Sequence, residues 1–432
     1  MKINEMVKDS VDELARGLPP RPDLADHALR QARRRTRAVR LAVAGGATLA
    51  VAGATAISGI DFTEPAGSDA PELGPAQSGP QTNAASISLD ELPTGEAPAV
   101  PWFAEGALHV GDNQVPFDVD VRFLGSLRRV EGGYLAAVTP GAAPVGSHEH
   151  PLYFVADDGS TTVLADGWVP GGARTSADGS LIAWAAGDWN AEFAGRETNT
   201  TLVVADATTG DVLHERPASL GPDTEVIGFL DENRILVTAA NNSYEGVYVW
   251  DVAADTVDPW MDGYDGAMAL TSSGDIGAFV ASGDDGTYTV VDTAAEEVLW
   301  TTGRLAANAF SPDGQYAAIV QAPDGAATAG ELREMEMRED AAASSTSTDG
   351  RMNLVIVEAR TGEEVLTLDV EFPERFAWEP DGDLVFEAWQ DSRQMALVRC
   401  SLDGECELAT EPRTADVPPD ASQPPYHLGD NY

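Results

Sequence analysis

Apolar and polar residues alternate in short runs through residues 99–412, and clusters of Gly, Asp, Asn or Pro break the runs at close intervals. A period of two marks half-buried strands, and the breaks mark turns. One stretch, "NAFSPDGQYAAIVQ" (308–321), gives an apolar pair, a polar turn and a second alternating run. The same pattern recurs at 174–186, 227–240, 268–281 and 376–389, and more loosely at 126–139. A second hairpin follows each of these, as in "YTVVDTAAEEVLW" (288–300). The turn markers Gly132, Gly179, Asn233, Gly274, Gly314 and Gly382 lie mostly about 40–55 residues apart, the spacing of four-stranded propeller blades. One interval is longer because of an insertion at 322–351, whose Ser/Thr tract the composition predicts to be mobile. Ser311-Pro312-Asp313-Gly314 is therefore a bend, with Gly taking the positive φ of the turn.

The pattern predicts an all-β chain, a β-propeller over residues 99–432. Six repeats are complete. Residues 99–121 add two or three strands toward a seventh four-stranded blade, closed by the C-terminal "PYHLGDNY" (425–432) or by an N-terminal strand alone. Seven blades are expected, with six or eight as alternatives. "FSPDG", "WEPDG" and "SADG", each followed by an apolar strand and later "VVD" or "VWD", resemble the WD-repeat-like propellers of bacterial envelope proteins. The resemblance covers roughly residues 100–412. Trp250-Asp251 matches the dipeptide that names those repeats, while their eukaryotic Gly-His element is missing. It implies fold and says little about activity.

The first hundred residues differ in kind. Residues 1–40 are basic, with a helical period over 6–18 ended by Pro19-Pro20 and a second helical stretch from Asp23. An uncharged run from Leu41 to Ile60 follows, long enough at 1.5 Å per residue to cross about 30 Å of bilayer. Arg30, Arg33, Arg34, Arg35, Arg37 and Arg40 lie before it, which predicts a retained single-pass helix with the N-terminus in the cytoplasm. Residues 61–98, rich in Pro, Gly, Ser and Ala, read as a disordered linker. The N-terminal segment is also similar to the short basic segments of actinobacterial single-pass proteins, membrane-anchored anti-sigma factors among them, without their zinc-binding His and Cys pattern.

Charge narrows the partners. The chain carries 26 basic against 71 acidic side chains, a formal net charge of -45, and ten of the basic ones lie in residues 1–40. A domain so acidic repels phosphate backbones, so nucleic acid is not an expected partner. Both cysteines, Cys400 and Cys406, flank Asp403-Gly404, a hairpin turn signal that puts them opposite each other within disulfide reach. Such a bond fits an extracytoplasmic domain.

Candidate chemistry is thin. His148 and His150, two apart, project to one face of a strand as weak metal candidates. Asp118 with Asp120, or Asp284 with Asp285, would suit calcium, the one cofactor the composition leaves open. Trp184, Trp250, Trp300 and Trp378 occupy repeat-equivalent positions and are expected between blades. Trp168, Trp189 and Trp389 fall near strand ends and are weak candidates for a binding rim. No nucleophile elbow, His-Glu-x-x-His, P-loop or EF-hand motif occurs. The expectation is a non-catalytic, membrane-anchored propeller outside the cytoplasm that binds or scaffolds an envelope protein or glycan. The alternatives are an envelope carbohydrate hydrolase or lyase and a transmembrane signalling protein.

Overall fold

The computed structural model describes residues 83–432, except 142–149, 170, 188–199, 222–223, 241–244, 283–287, 303–304, 322–350, 372, 392, 416–423 and 430–432. The basic segment, the apolar run at 41–60, linker residues 61–82, His148, Trp189, Asp284, Asp285 and nearly all of the insertion lie outside the described residues.

The strands form seven sheets. Blade 2 is a meander of Val121–Val130, Gly133–Pro140, Leu152–Ala156 and Thr161–Ala165, its first strand innermost. Blade 3 begins with Ala173–Thr175, blade 4 with Thr224–Phe229, blade 5 with Tyr264–Leu270, blade 6 with Leu305–Phe310 and blade 7 with Glu374–Trp378. Blade 1 is made from both ends of the chain. Trp102–Ala104, Ala107–Val110 and Asn113–Pro116 supply three strands, and His427–Leu428 supplies the innermost. Of the two closures the sequence left open, the one through the C-terminal "PYHLGDNY" is observed, and the blade count is seven.

The turn that repeats along the chain is held by local bonds. At 311–314 the Ser311 hydroxyl donates to Asp313 at 2.6 Å, Tyr316 N donates back to Ser311 Oγ at 2.9 Å, and Gly314 N donates to Ser311 O at 2.8 Å. Gly314 sits at φ +69°, in the left-handed region that glycine enters without strain. The same Ser–Asp geometry occurs at Ser176 and Asp178.

The core lies between blades. Seven apolar clusters occupy the seven junctions, with Trp184 between blades 2 and 3, Trp250 between 3 and 4, and Trp378 between 6 and 7, all fully buried. Trp300 is half-buried and ties blade 5 to blade 6 by donating to Ala359 O at 2.8 Å. Middle strands such as Leu384–Gln390 are buried on both faces because each sheet is covered by two neighbours. Outermost strands are open, with Val163, Val212 and Val298 exposed.

One expectation needs correction. Residues 83–98, read as linker, are packed on the propeller. Asn83–Ser86 add a fifth, parallel strand to the outer edge of blade 6, against Glu364–Glu371. Ile87 and Leu89 are buried in the junction of blades 6 and 7. Thr94 bridges Leu408 on the outer strand of blade 7. Two arginines fix this strap. Arg351 Nη2 donates to Ser86 Oγ at 2.8 Å, and its Nε donates to Asp369 at 2.7 Å. Arg399 spans Glu379 through both carboxylate oxygens (2.6 and 2.8 Å), reaches Glu407 at 2.7 Å, and donates to the carbonyls of Glu96 and Ala97. Glu379 in turn accepts Ala99 N at 2.6 Å. The composition of the segment hid this because its few apolar and backbone groups dock on partners about 270 to 320 residues away in sequence.

Candidate functional site

Because every blade is built on a four-stranded antiparallel meander, the inner strands all run the same way, and their first residues share one rim of the central channel. Charged and aromatic side chains gather on that rim where blades 7, 1 and 2 meet. Register shifts in the inner strands of blades 7 and 2, at Glu374/Phe376 and at Leu124/Ser126, are bulges that leave Arg375 and Gly125 out of the ladder. Arg375 takes φ +31°, a strained value for a residue with a side chain. The bulge re-aims its guanidinium toward blade 2, where it donates to Leu124 O at 2.8 Å and Gly125 O at 3.3 Å. The same guanidinium stands 5.8 Å from the centre of the Phe123 ring, which is 45% exposed.

Behind Arg375 lies Glu387, a carboxylate only 1% exposed. Its Oε1 accepts Leu428 N at 2.7 Å and stands 3.8 Å from Arg375 Nε. A buried charge persists only when paired and hydrogen-bonded, and Glu387 has both. Its cross-strand partner is Glu374. Glu374 is exposed, yet desolvation by the protein around it raises its pKa against the opposing pull of the Trp389 indole and Arg375. His427, on the closing strand, is 1% exposed, with Phe103 and Phe123 rings at 6.3 and 6.2 Å. Burial first and Arg375 second push its pKa down to about 3, so it is neutral at ordinary pH.

Of the residues predicted from sequence, His150 and Trp168 lie beside this rim. The His150 Nε2 pairs with Thr139 Oγ1 at 2.7 Å, and its ring meets Trp168 edge-on at 4.7 Å and Phe123 at 5.9 Å. No group of three His, Cys, Asp or Glu side chains that would hold a metal forms among the described residues, and Asp118 and Asp120 are both exposed. Trp389 is not on a rim. It is 2% exposed, packed with Met395 and Tyr426 between blades 7 and 1, because the strand carrying it is covered on both faces. Cys400 and Cys406 are disulfide-bonded across the hairpin, as the turn between them predicts.

Sequence reasoning missed Arg375, Glu374, Glu387 and His427. One signal was present: Glu387 interrupts "LVFEAWQ", an apolar strand with no reason to carry a charge unless something pairs it.

No family model and no curated protein matches the chain. Among solved structures, TolB from Acinetobacter baumannii is 15% identical, with a TM-score of 0.40 over 73% of this chain and 68% of that one. The β-propeller domain of the Trilobed protease from Pyrococcus furiosus is 11% identical, with a TM-score of 0.42 over 67% and 83%. The Cps50 (Swd1) β-propeller domain of Myceliophteria thermophila is 9% identical, with a TM-score of 0.41 over 70% and 90%. The sheet topology itself establishes the architecture: among the described residues, an all-β propeller of seven blades.

Proposed function

We propose that the chain is a membrane-anchored propeller held outside the cytoplasm, acting as a non-catalytic binding or scaffolding module of the cell envelope. The observation that carries the non-catalytic part is how the rim groups are used. Arg375 is bound to two carbonyls of blade 2, Glu387 to the Leu428 amide, and His427 is sealed among aromatic rings. These groups hold blades together and offer a substrate no accessible acid–base pair. The Cys400–Cys406 disulfide supports an oxidising compartment. An anchor at 41–60 and an envelope protein or glycan as partner extend the reading, and the acidic surface argues against nucleic acid.

A hydrolytic reading has one observation in its favour, the raised pKa of Glu374 beside a second carboxylate. Glu387 is too buried to act on a substrate, which weighs against it.

The test has two parts. Thiol labelling of the protein taken from intact cells should find Cys400 and Cys406 oxidised, and protease added outside the cells should digest the propeller. Reduced cysteines with a protected propeller would overturn the location. Turnover of any polysaccharide in an envelope panel that is lost in Glu374→Gln would overturn the non-catalytic reading.

A further inference from the structure

The ring is closed by its shortest inner strand. Only His427 and Leu428 pair with blade 1, opposite Phe103 and Trp102, whereas the other inner strands run from three to ten residues. Side bonds compensate in part. Leu428 N donates to Glu387, Gly429 N donates to Pro101 O at 2.8 Å, and the Tyr426 hydroxyl donates to Glu411 O at 2.7 Å.

His427 is the weak point of that strand. Neither ring nitrogen has a hydrogen-bond partner, although both are buried. A buried polar group without a partner is tolerated while neutral and becomes costly once charged. Among the described residues, burial and Arg375 outweigh the nearby carboxylates and disfavour a proton there. Blade 7 presents Arg375, whose charge opposes a second cation, and Glu374 beside it in the strand. Its other carboxylate, Glu387, is spent on the Leu428 amide and faces Arg375 Nε. Blade 1 presents Phe103, with His109 stacked on the neighbouring Trp102 at 4.0 Å. Blade 2 presents Phe123, and His150 lies on another edge of that ring.

We propose that the His427–Leu428 strand is an acid-released latch: protonating the sealed His427 imidazole beside Arg375 expels this strand from blade 1 while the other six blades stay folded. In the released strand the imidazole returns to its ordinary value near 6.5, against about 3 when docked. Release is thus favoured progressively as pH falls below 6.5, and at neutral pH the latch stays shut. At pH 5 the ratio of released to docked strand rises roughly thirtyfold over its value for the neutral imidazole. Release bares the Trp102–Ala104 edge and takes from Glu387 its amide partner.

Hydrogen exchange of the full-length chain at pH 7 and pH 5, corrected for intrinsic rates, tests this. Between pH 7 and pH 5 the Leu428 and Gly429 amides should lose about 25-fold in protection, while Ile235–Val237 in blade 4 stay unchanged. His427→Gln, which cannot titrate, should remove that loss. Unchanged protection at 428–429 in the wild-type protein would overturn the latch without need of the variant. So would an equal loss in His427→Gln, or loss at 428–429 only together with blade 4.

Discussion

The junction of blades 4 and 5 and the closure through blades 6, 7 and 1 do the same mechanical job with different chemistry. Between blades 4 and 5 the buried contact is mainly apolar and holds no ion pair among the described residues: Ile227, Leu236 and Val247 meet Ala267, Phe279 and Val291, beside one hydrogen bond from Ala267 N to Thr238 Oγ1 at 3.2 Å. Around blades 6, 7 and 1 similar apolar clusters are accompanied by charge pairs within blade 7, Glu379 with Arg399 and Glu387 with Arg375, whose members also bind backbone groups of the strap and of blades 1 and 2. The chain runs unbroken through the first junction, so neighbouring blades are held in register by their own short connection. At the closure the two chain ends must find each other. Apolar contact is non-directional and would accept a slipped strand, whereas a buried carboxylate accepts only a geometry that pairs it. We read the charges as devices that specify register, at some expense in stability.

Removing one member of a charged pair should break that contrast most sharply. Glu379→Ala leaves Arg399 nearly buried without its main counter-ion and cuts the anchor of Ala99. A loss of about 3–5 kcal/mol in chemical denaturation is expected. Replacing both members with apolar residues (Glu379→Leu with Arg399→Met) should cost much less than the single change, because the orphaned charge goes too. At the apolar junction of blades 3 and 4, Trp250→Ala should also cost about 3–5 kcal/mol, and no second substitution should rescue it. If the double change at Glu379 and Arg399 costs as much as the sum of its parts, the pair stabilises rather than specifies.

The disulfide comes next in expected size. It closes a short hairpin loop, for which chain entropy predicts about 2–3 kcal/mol, and Cys400→Ser with Cys406→Ser should lose that much. The bond flanks Arg399 and precedes Glu407 and Leu408, so the loss should appear first as cleavage of the strap at 83–98 by added protease. Cleavage elsewhere in the ring first would separate the disulfide from the strap.

These predictions show why the two regions were not equally legible in the sequence. Blades 2 to 7 repeat a local pattern, and the turn residues at Gly179, Gly274, Gly314 and Gly382 announce themselves because φ is positive at each. The strap at 83–98 and the partners of Glu387 depend on contacts across nearly the whole chain, which no local period encodes. Trp389 shows the opposite error: a residue near a strand end looks like rim, and only the neighbouring blade reveals that it is covered.

The acid response of global stability should be smaller still. His427 has a folded pKa below its unfolded value because its charged form is the disfavoured one. The stability it contributes is present while the unfolded chain is neutral at this position, and is lost as pH falls from about 6.5 toward about 3. Between pH 7 and pH 5 this amounts to about 2 kcal/mol, read as the difference in pH slope between the wild-type protein and His427→Gln. Carboxylates such as Asp178, held at about 2 by Ser180 and Ser176, also lose stability on acidification, but only below their ordinary range near 3.8. Subtracting the variant removes them from the comparison.

The smallest expected effect concerns the turn of the repeat, which abuts the preceding blade away from the charged closure. At Gly314 an added Cβ would meet nothing closer than Thr271 Cγ2 at 3.4 Å, an ordinary contact. The expected cost of Gly314→Ala, about 1 kcal/mol, is therefore the left-handed backbone alone. Gly274 has the same conformation, at φ +76°, but an added Cβ there would stand 2.6 Å from the Phe229 and Leu230 carbonyl oxygens on blade 4. Gly274→Ala should thus cost clearly more than Gly314→Ala in the same denaturation measurement. Equal losses would mean that blade 4 yields to the methyl group. In that case the apolar junction tolerates displacement, as non-directional contact implies, and the polar closure is where the ring is held in register.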